Sequence, residues 1–160
     1  MKTRNVVSIV DTRDHTVIKT IDLSAQLKPK GVVVSPDGKR VYVATGRGNS
    51  VAVIDGEHLT LITLIPVGQR PWGVALTPDG RKLYTANGLS NDVTVVDTRT
   101  NKVVATIKAG EGPWGIALTP DGRKLYTANG LSNDISVVDT ATNKVIATIK
   151  AGDGPWGIAL

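Results

Sequence analysis

The chain has 160 residues, 41% of them hydrophobic, with a net charge of +5 and no cysteine. That length suits one domain, with a core that buries a little under about 70% of the unfolded surface, and the composition excludes a disordered chain. The missing thiols exclude disulfides, thiolate metal sites, iron–sulfur clusters, covalently attached c-type haem and cysteine nucleophiles.

The apolar residues are mostly Val, Ile, Leu and Ala, with no Phe and one Met. β-branched side chains pack well on pleated surfaces, so this bias favours strands. Basic residues sit in pairs spread over turns (Lys39-Arg40, Arg81-Lys82, Arg123-Lys124), with no run of five like charges. They read as solvated turns, and no clustered stripe with interleaved aromatics points to nucleic acid. No apolar stretch approaches the roughly 20 residues of a membrane helix, so no membrane insertion is expected. Met1-Lys2-Thr3-Arg4-Asn5 runs straight into a strand pattern without the apolar centre of a signal peptide.

In chain order, Val6–Val10 and residues 16–21 read as two strands. Residues 31–72 form a unit whose features then recur. Pro-Trp-Gly begins at Pro71, Pro113 and Pro155, and Pro-Asp-Gly at Pro36, Pro78 and Pro120, each time 42 residues on. Asp55, Asp97 and Asp139 keep the same step, whereas Asp11 precedes Asp55 by 44, placing two extra residues near 25–30. Residues 73–114 and 115–156 differ at six of 42 positions, five of them conservatively.

Each unit reads as four short strands: in the third copy, 73–77, 82–87, 93–97 and 102–107. Pro78-Asp79-Gly80 supplies a hairpin turn, with Pro fixing φ, Asp capping and Gly taking positive φ. A loop at 87–91, a turn at 97–101 and a long flexible link at 109–113 complete the unit. Four strands per 42 residues is the signature of a β-propeller. The fold class is therefore all-β: a propeller of four-stranded antiparallel blades, about four in number with the first and last incomplete. The units are a partial blade 1–30, blades 31–72, 73–114 and 115–156, and the start of a further blade, within its first strand, at 157–160. In 73–77, Val74 and Leu76 face one side, in register with Trp72, and Gly73, Ala75 and Thr77 the other. A bulky face can then nest on the small face of the next blade.

The catalytic suspects are sparse. His15 and His58 fall in turns between third and fourth strands, far from a propeller axis, and read as surface residues. Asp79 and Asp121 belong to the Pro-Asp-Gly turns, and Asp97 and Asp139 end strands where they accept turn N–H groups. Asp92 and Asp134, beside Asn91 and Asn133, could hold a cation, but loop capping accounts for them. No cofactor or metal site is expected. Trp72, Trp114 and Trp156 are the best site candidates: they fall near one rim of a central channel, where three indoles with Arg70 nearby could hold an aromatic or anionic ligand, or a partner's side chain. The competing expectation, favoured by their register with Val74 and Leu76, is that each tryptophan packs between blades.

Taken together, Arg70-Pro71-Trp72-Gly73, Thr77-Pro78-Asp79-Gly80, Tyr84-Thr85-Ala86-Asn87 and Val93-Thr94-Val95-Val96-Asp97-Thr98 resemble the repeat of the YVTN β-propeller family. The Arg-Pro-Trp-Gly and Ala-Asn-Gly-Leu-Ser-Asn-Asp segments most resemble family members associated with quinone-cofactor-dependent alcohol catabolism in bacteria. The resemblance implies about seven blades in a complete ring, a secretion signal, and a periplasmic or extracellular location. This chain carries fewer blades and no such signal, so it reads as a piece of a longer propeller, or as a protein whose copies associate to finish the ring. The expected function is a non-catalytic scaffold for a protein or small ligand. The alternative is a lactonase- or lyase-like propeller enzyme with its active site at the channel.

Overall fold

The computed structural model describes residues 5–23 and 27–160. The first four residues, and part of the two-residue insertion expected near 25–30, lie outside the described residues. The rest forms fourteen strands and one 3-10 turn, Gly46–Gly48. β1 (Val6–Val10) and β2 (Val17–Asp22) make a two-stranded sheet. β3 (Val32–Val34), β4 (Arg40–Ala44), β5 (Ser50–Asp55) and β6 (Leu61–Pro66) make the first complete blade. β7 (Pro71–Leu76), β8 (Lys82–Asn87), β9 (Asp92–Asp97) and β10 (Lys102–Lys108) make the next. β11 (Pro113–Leu118), β12 (Lys124–Asn129), β13 (Asp134–Asp139) and β14 (Lys144–Lys150) make the last. Neighbouring strands are consecutive and antiparallel throughout, so each blade is a simple meander.

Local chemistry sets the turns. In the first hairpin of the β7–β10 blade, Asp79 Oδ1 accepts from the Thr77 hydroxyl at 2.6 Å and from the Arg81 N–H at 3.0 Å, and Gly80 takes φ +70°. At the far end of β9, Asp97 Oδ1 accepts from the N–H groups of Arg99 and Thr100. These bonds hold both carboxyls below the ordinary range, the Thr77 hydroxyl leading for Asp79 and the Thr100 N–H for Asp97. Their contribution to stability is present above the unfolded pKa of 3.8 and is lost as pH falls through the lower folded values. The turn before each outer strand carries a residue of positive φ: His15 and Leu59 two residues ahead of β2 and β6, and Asn101 and Asn143 directly ahead of β10 and β14. His15 is thus a turn residue, and His58 lies in the matching turn with its ring against Asp55 at 3.2 Å. Both histidines sit where the repeat places them.

Blades stack through three apolar clusters. The β3–β6 and β7–β10 blades meet through Tyr42, Val51, Val53 and Ile65 on one side and Leu83 and Val96 on the other, with Val74 and Leu76 packed against them. The next interface repeats the pattern with Tyr84, Val93, Val95 and Ile107 against Leu125 and Val138. Val74 and Leu76 face one neighbour and Ala75 the other, as the alternation requires. The inner strands approach closely: Gly31 N–H donates to the Trp72 carbonyl at 2.8 Å. A Cβ on Gly73 would lie 2.6 Å from the Trp114 carbonyl oxygen.

Tyr84 is fully buried and its hydroxyl has no hydrogen-bond partner among the described residues. Burial in this apolar interface pushes its pKa from 10.0 up to about 12, because the phenolate would lose its hydration. The stability this represents is intact below pH 10 and is lost as pH rises toward 12. Alkaline titration followed at the phenolate absorption band is expected to show a delayed step accompanied by unfolding. Tyr84→Phe should remove that step; a parent protein whose tyrosines all ionise near pH 10 without unfolding would contradict it.

One strand expected from sequence is absent. Residues 157–160 form no strand, and β1–β2 remains a two-stranded sheet. A strand needs a hydrogen-bonded neighbour, and among the described residues no second-type strand stands beside either segment. The face of the last blade turned away from its neighbour is accordingly open. Ile149 is 47% exposed, whereas Ile107, its counterpart one repeat earlier, is 4% exposed.

Candidate functional site

The links between blades are built first. Asn49, Asn91 and Asn133 all adopt positive φ, a conformation that asparagine tolerates better than most residues. Each side-chain oxygen accepts an N–H 21 residues on, at 2.9 Å, from Arg70, Gly112 and Gly154 respectively. The same asparagines accept from Val67, Ala109 and Ala151 through their main-chain carbonyls. Loop capping is therefore the observed role of Asn91 and Asn133. Asp92 and Asp134 accept from Asn87 and Asn129 at 2.6 Å. Among the described residues, no three His, Cys, Asp or Glu side chains are grouped to hold a metal.

Each link is followed by a tryptophan, which in two of the three cases lies at the start of an inner strand. Trp72 and Trp114 begin β7 and β11, and so belong to the blade after the one in which the 42-residue unit places them. The alternation fails at this point. β7 is bulged between Pro71 and Val74, and β11 between Pro113 and Gly115, so the register of Val74 and Leu76 does not extend to the indole. No tryptophan joins the three apolar clusters. Instead, the indoles meet one another. Trp72 and Trp156 stand edge to face with centroids 5.0 Å apart, and Trp114 lies 4.6 Å from Trp156 at 42°. Trp114 also bridges two blades, its pyrrole edge over Gly88 and its six-membered ring over Gly130. Trp156 remains 55% exposed, so the cluster presents an aromatic surface to solvent.

Arg70 is drawn in beside it. A cavity of 120 Å³ is lined by Lys28, Lys30, Gly46, Arg47, Arg70 and Trp72. A second, of 250 Å³, shares Lys30 and Trp72 with the first and is completed by Gly31, Gly73, Trp114 and Trp156. The Lys30 ammonium sits 4.1 Å above the Trp72 ring, a cation–π contact. The four residues singled out from sequence thus line two adjoining cavities. Lys28, Lys30 and Arg47 were not singled out, although the repeat carries the signal. Lys30 stands where the other units have Trp72, Trp114 and Trp156, and Arg47 where they have Leu89 and Leu131.

Arg70 occupies the place of Gly112 and Gly154 and keeps their conformation, with φ +54° against +63° and +59°. For a residue with a Cβ this left-handed geometry costs about 1 kcal/mol or more. The surroundings enforce it: the Arg70 N–H goes to Asn49, and its carbonyl accepts from Gly88 at 2.9 Å. Arg70→Gly is therefore expected to raise stability by about 0.5–1 kcal/mol, read as a shift in the denaturant midpoint. A loss of stability would contradict the assignment of strain.

Residues 75–160 match the family of YNCE-like β-propellers, and residues 4–103 match the lactonase family of seven-bladed β-propellers. The chain belongs to the β-propeller families these two matches describe. Among solved structures, hydrazine synthase of Kuenenia stuttgartiensis aligns at 28% identity with a TM-score of 0.84. The alignment covers 91% of this chain and 43% of that one, so this chain spans less than half the length of its structural neighbour. No curated protein sequence matches it. The β-propeller supports many unrelated activities, so membership fixes the scaffold and leaves the function to the site.

Proposed function

We propose that this propeller is a non-catalytic binding scaffold of the YVTN type, acting outside the cytoplasm, whose ligand surface is the tryptophan rim. The observation that carries the reading is the convergence of three indoles from successive repeats, one of them half exposed, beside Arg70. Aromatic rings offered on a stiff backbone bind planar groups or a partner's side chain at little entropic cost. A calorimetric titration of the whole chain with 2-naphthamide, a neutral planar probe, tests it. Saturable binding that Trp156→Ala abolishes is the expected result. Absence of binding, or binding that survives that substitution, would overturn it.

The match to the lactonase family over residues 4–103 favours one rival, a hydrolytic propeller. Hydrolysis of dihydrocoumarin above the uncatalysed rate would establish that rival. The open apolar face of the last blade supports a further element of the proposal, that copies of this chain associate in solution. Light scattering is expected to return a mass above the 16.8 kDa of one chain; a monodisperse single-chain mass would exclude association.

A further inference from the structure

The copies of the repeat differ at the rim in one consistent direction. Aligned on the 42-residue step, Arg47 replaces Leu89 and Leu131, Arg70 replaces Gly112 and Gly154, and Lys30 replaces a tryptophan. Lys28 falls in the same column as Arg70, one unit earlier. The column before it runs oppositely: Gln69 is neutral where the later units carry Glu111 and Asp153. The cations thus belong to the early part of the chain and the acids of that column to the two later units.

These four cations line one 120 Å³ cavity against Trp72, and none forms an ion pair with a described residue. Gathering like charges around one cavity raises the local positive potential and attracts anions to it. Arginine adds a planar fork suited to carboxylate or phosphate oxygens. Arg70 is the stronger indication, since it keeps a strained backbone that glycine adopts freely in the other two copies. The adjoining 250 Å³ cavity offers Trp72, Trp114 and Trp156 to whatever the anion is attached to.

We infer that the rim holds an anion subsite formed by Lys28, Lys30, Arg47 and Arg70, which takes the carboxylate or phosphate of a small ligand whose planar aromatic body lies on the tryptophans. The inference rests on the tryptophan rim being a binding surface, and it specifies the ligand class: aromatic anions rather than neutral aromatics. The cations select by charge and the indoles by shape, so neither half alone confers the preference.

The test compares 2-naphthoate with its neutral isostere 2-naphthamide by calorimetry on the whole chain. Naphthoate is expected to bind about tenfold tighter, with the advantage shrinking as salt rises. The variant is the pair Arg47→Leu and Arg70→Gly, which installs residues the neighbouring copies already carry at the same places and so preserves the fold. It should bring naphthoate down to the affinity that the same variant shows for naphthamide. Titration with inorganic phosphate separates the two anion chemistries: competition with naphthoate means the subsite accepts phosphate, and its absence means a carboxylate-selective subsite. Equal binding of the two naphthalenes, or a charge preference that survives the double substitution, would overturn the anion subsite while leaving the tryptophan surface standing. Failure of both probes to bind would remove that surface as well.

Discussion

Replacing Asn87 with Ala is expected to destabilise the protein by about 2–4 kcal/mol, lowering the melting temperature by roughly 4–16 °C. Asn87 ends β8 and is fully buried. Its Nδ2 donates to Asp92 at 2.6 Å and to the Thr94 hydroxyl at 2.8 Å, and its Oδ1 accepts from the Thr85 hydroxyl at 3.0 Å. Thr94 in turn accepts the N–H of Gly68, so the network ties the second and third strands of one blade to the link arriving from the previous one. Truncation leaves the Thr85 and Thr94 hydroxyls in a dry site with too few partners. The cost is then the desolvation of stranded groups, and exceeds the worth of one surface hydrogen bond. Asn129 repeats the arrangement with Thr127, Asp134 and Ser136. The first complete blade solves the same problem with smaller groups, Thr45 and Ser50 bonding each other at 2.9 Å. Thermal unfolding of Asn87→Ala checks this directly, and a shift of less than 2 °C would contradict it.

Gly73→Val is expected to cost about 3 kcal/mol, for a reason that lies in space rather than in backbone freedom. A Cβ here would approach the Trp114 carbonyl oxygen to 2.6 Å and the Ile116 Cγ2 to 2.8 Å. The carbonyl is part of a neighbouring strand and cannot move aside without separating two blades. The same closeness governs Gly115, whose Cβ would meet the Trp156 carbonyl at 2.6 Å. Gly80→Ala is the instructive contrast, since the limit there is the positive φ of a turn, and the added methyl would meet only the edge of the Pro36 ring, at 3.2 Å. Chemical denaturation of the two variants should rank Gly73→Val well below Gly80→Ala. Equal stabilities would show that the inner strands are not packed as tightly as the structure has them.

The fold was largely legible because the repeat states its turns locally. Pro78-Asp79-Gly80 needs no tertiary context to form a turn, and its spacing from Asp97 divides the unit into strands of the observed length. The site was legible only in part. Trp72, Trp114, Trp156 and Arg70 stand out as residue types, but a bulge of one residue decides which way an indole points, and no alternating pattern reveals a bulge before it is seen. Lys28, Lys30 and Arg47 look like ordinary turn cations along the chain. They acquire meaning only when the first complete unit is laid over the later ones and when three-dimensional proximity gathers them. The strand expected at 157–160 failed for a different reason: its sequence repeats that of β7 and β11, but a strand forms with a partner, and propensity supplies none.

The convergence of the tryptophans underlies both the proposed ligand surface and the anion subsite beside it, and near-ultraviolet and far-ultraviolet circular dichroism test it in solution. Indoles with centroids 4.6 Å and 5.0 Å apart are close enough to couple, and Trp156 is common to both contacts. The expected spectrum is a paired positive and negative band that Trp156→Phe collapses, with thermal stability little changed because Trp156 is half exposed. A spectrum in which that substitution removes only one indole's additive share would contradict the cluster, and with it the site built upon it.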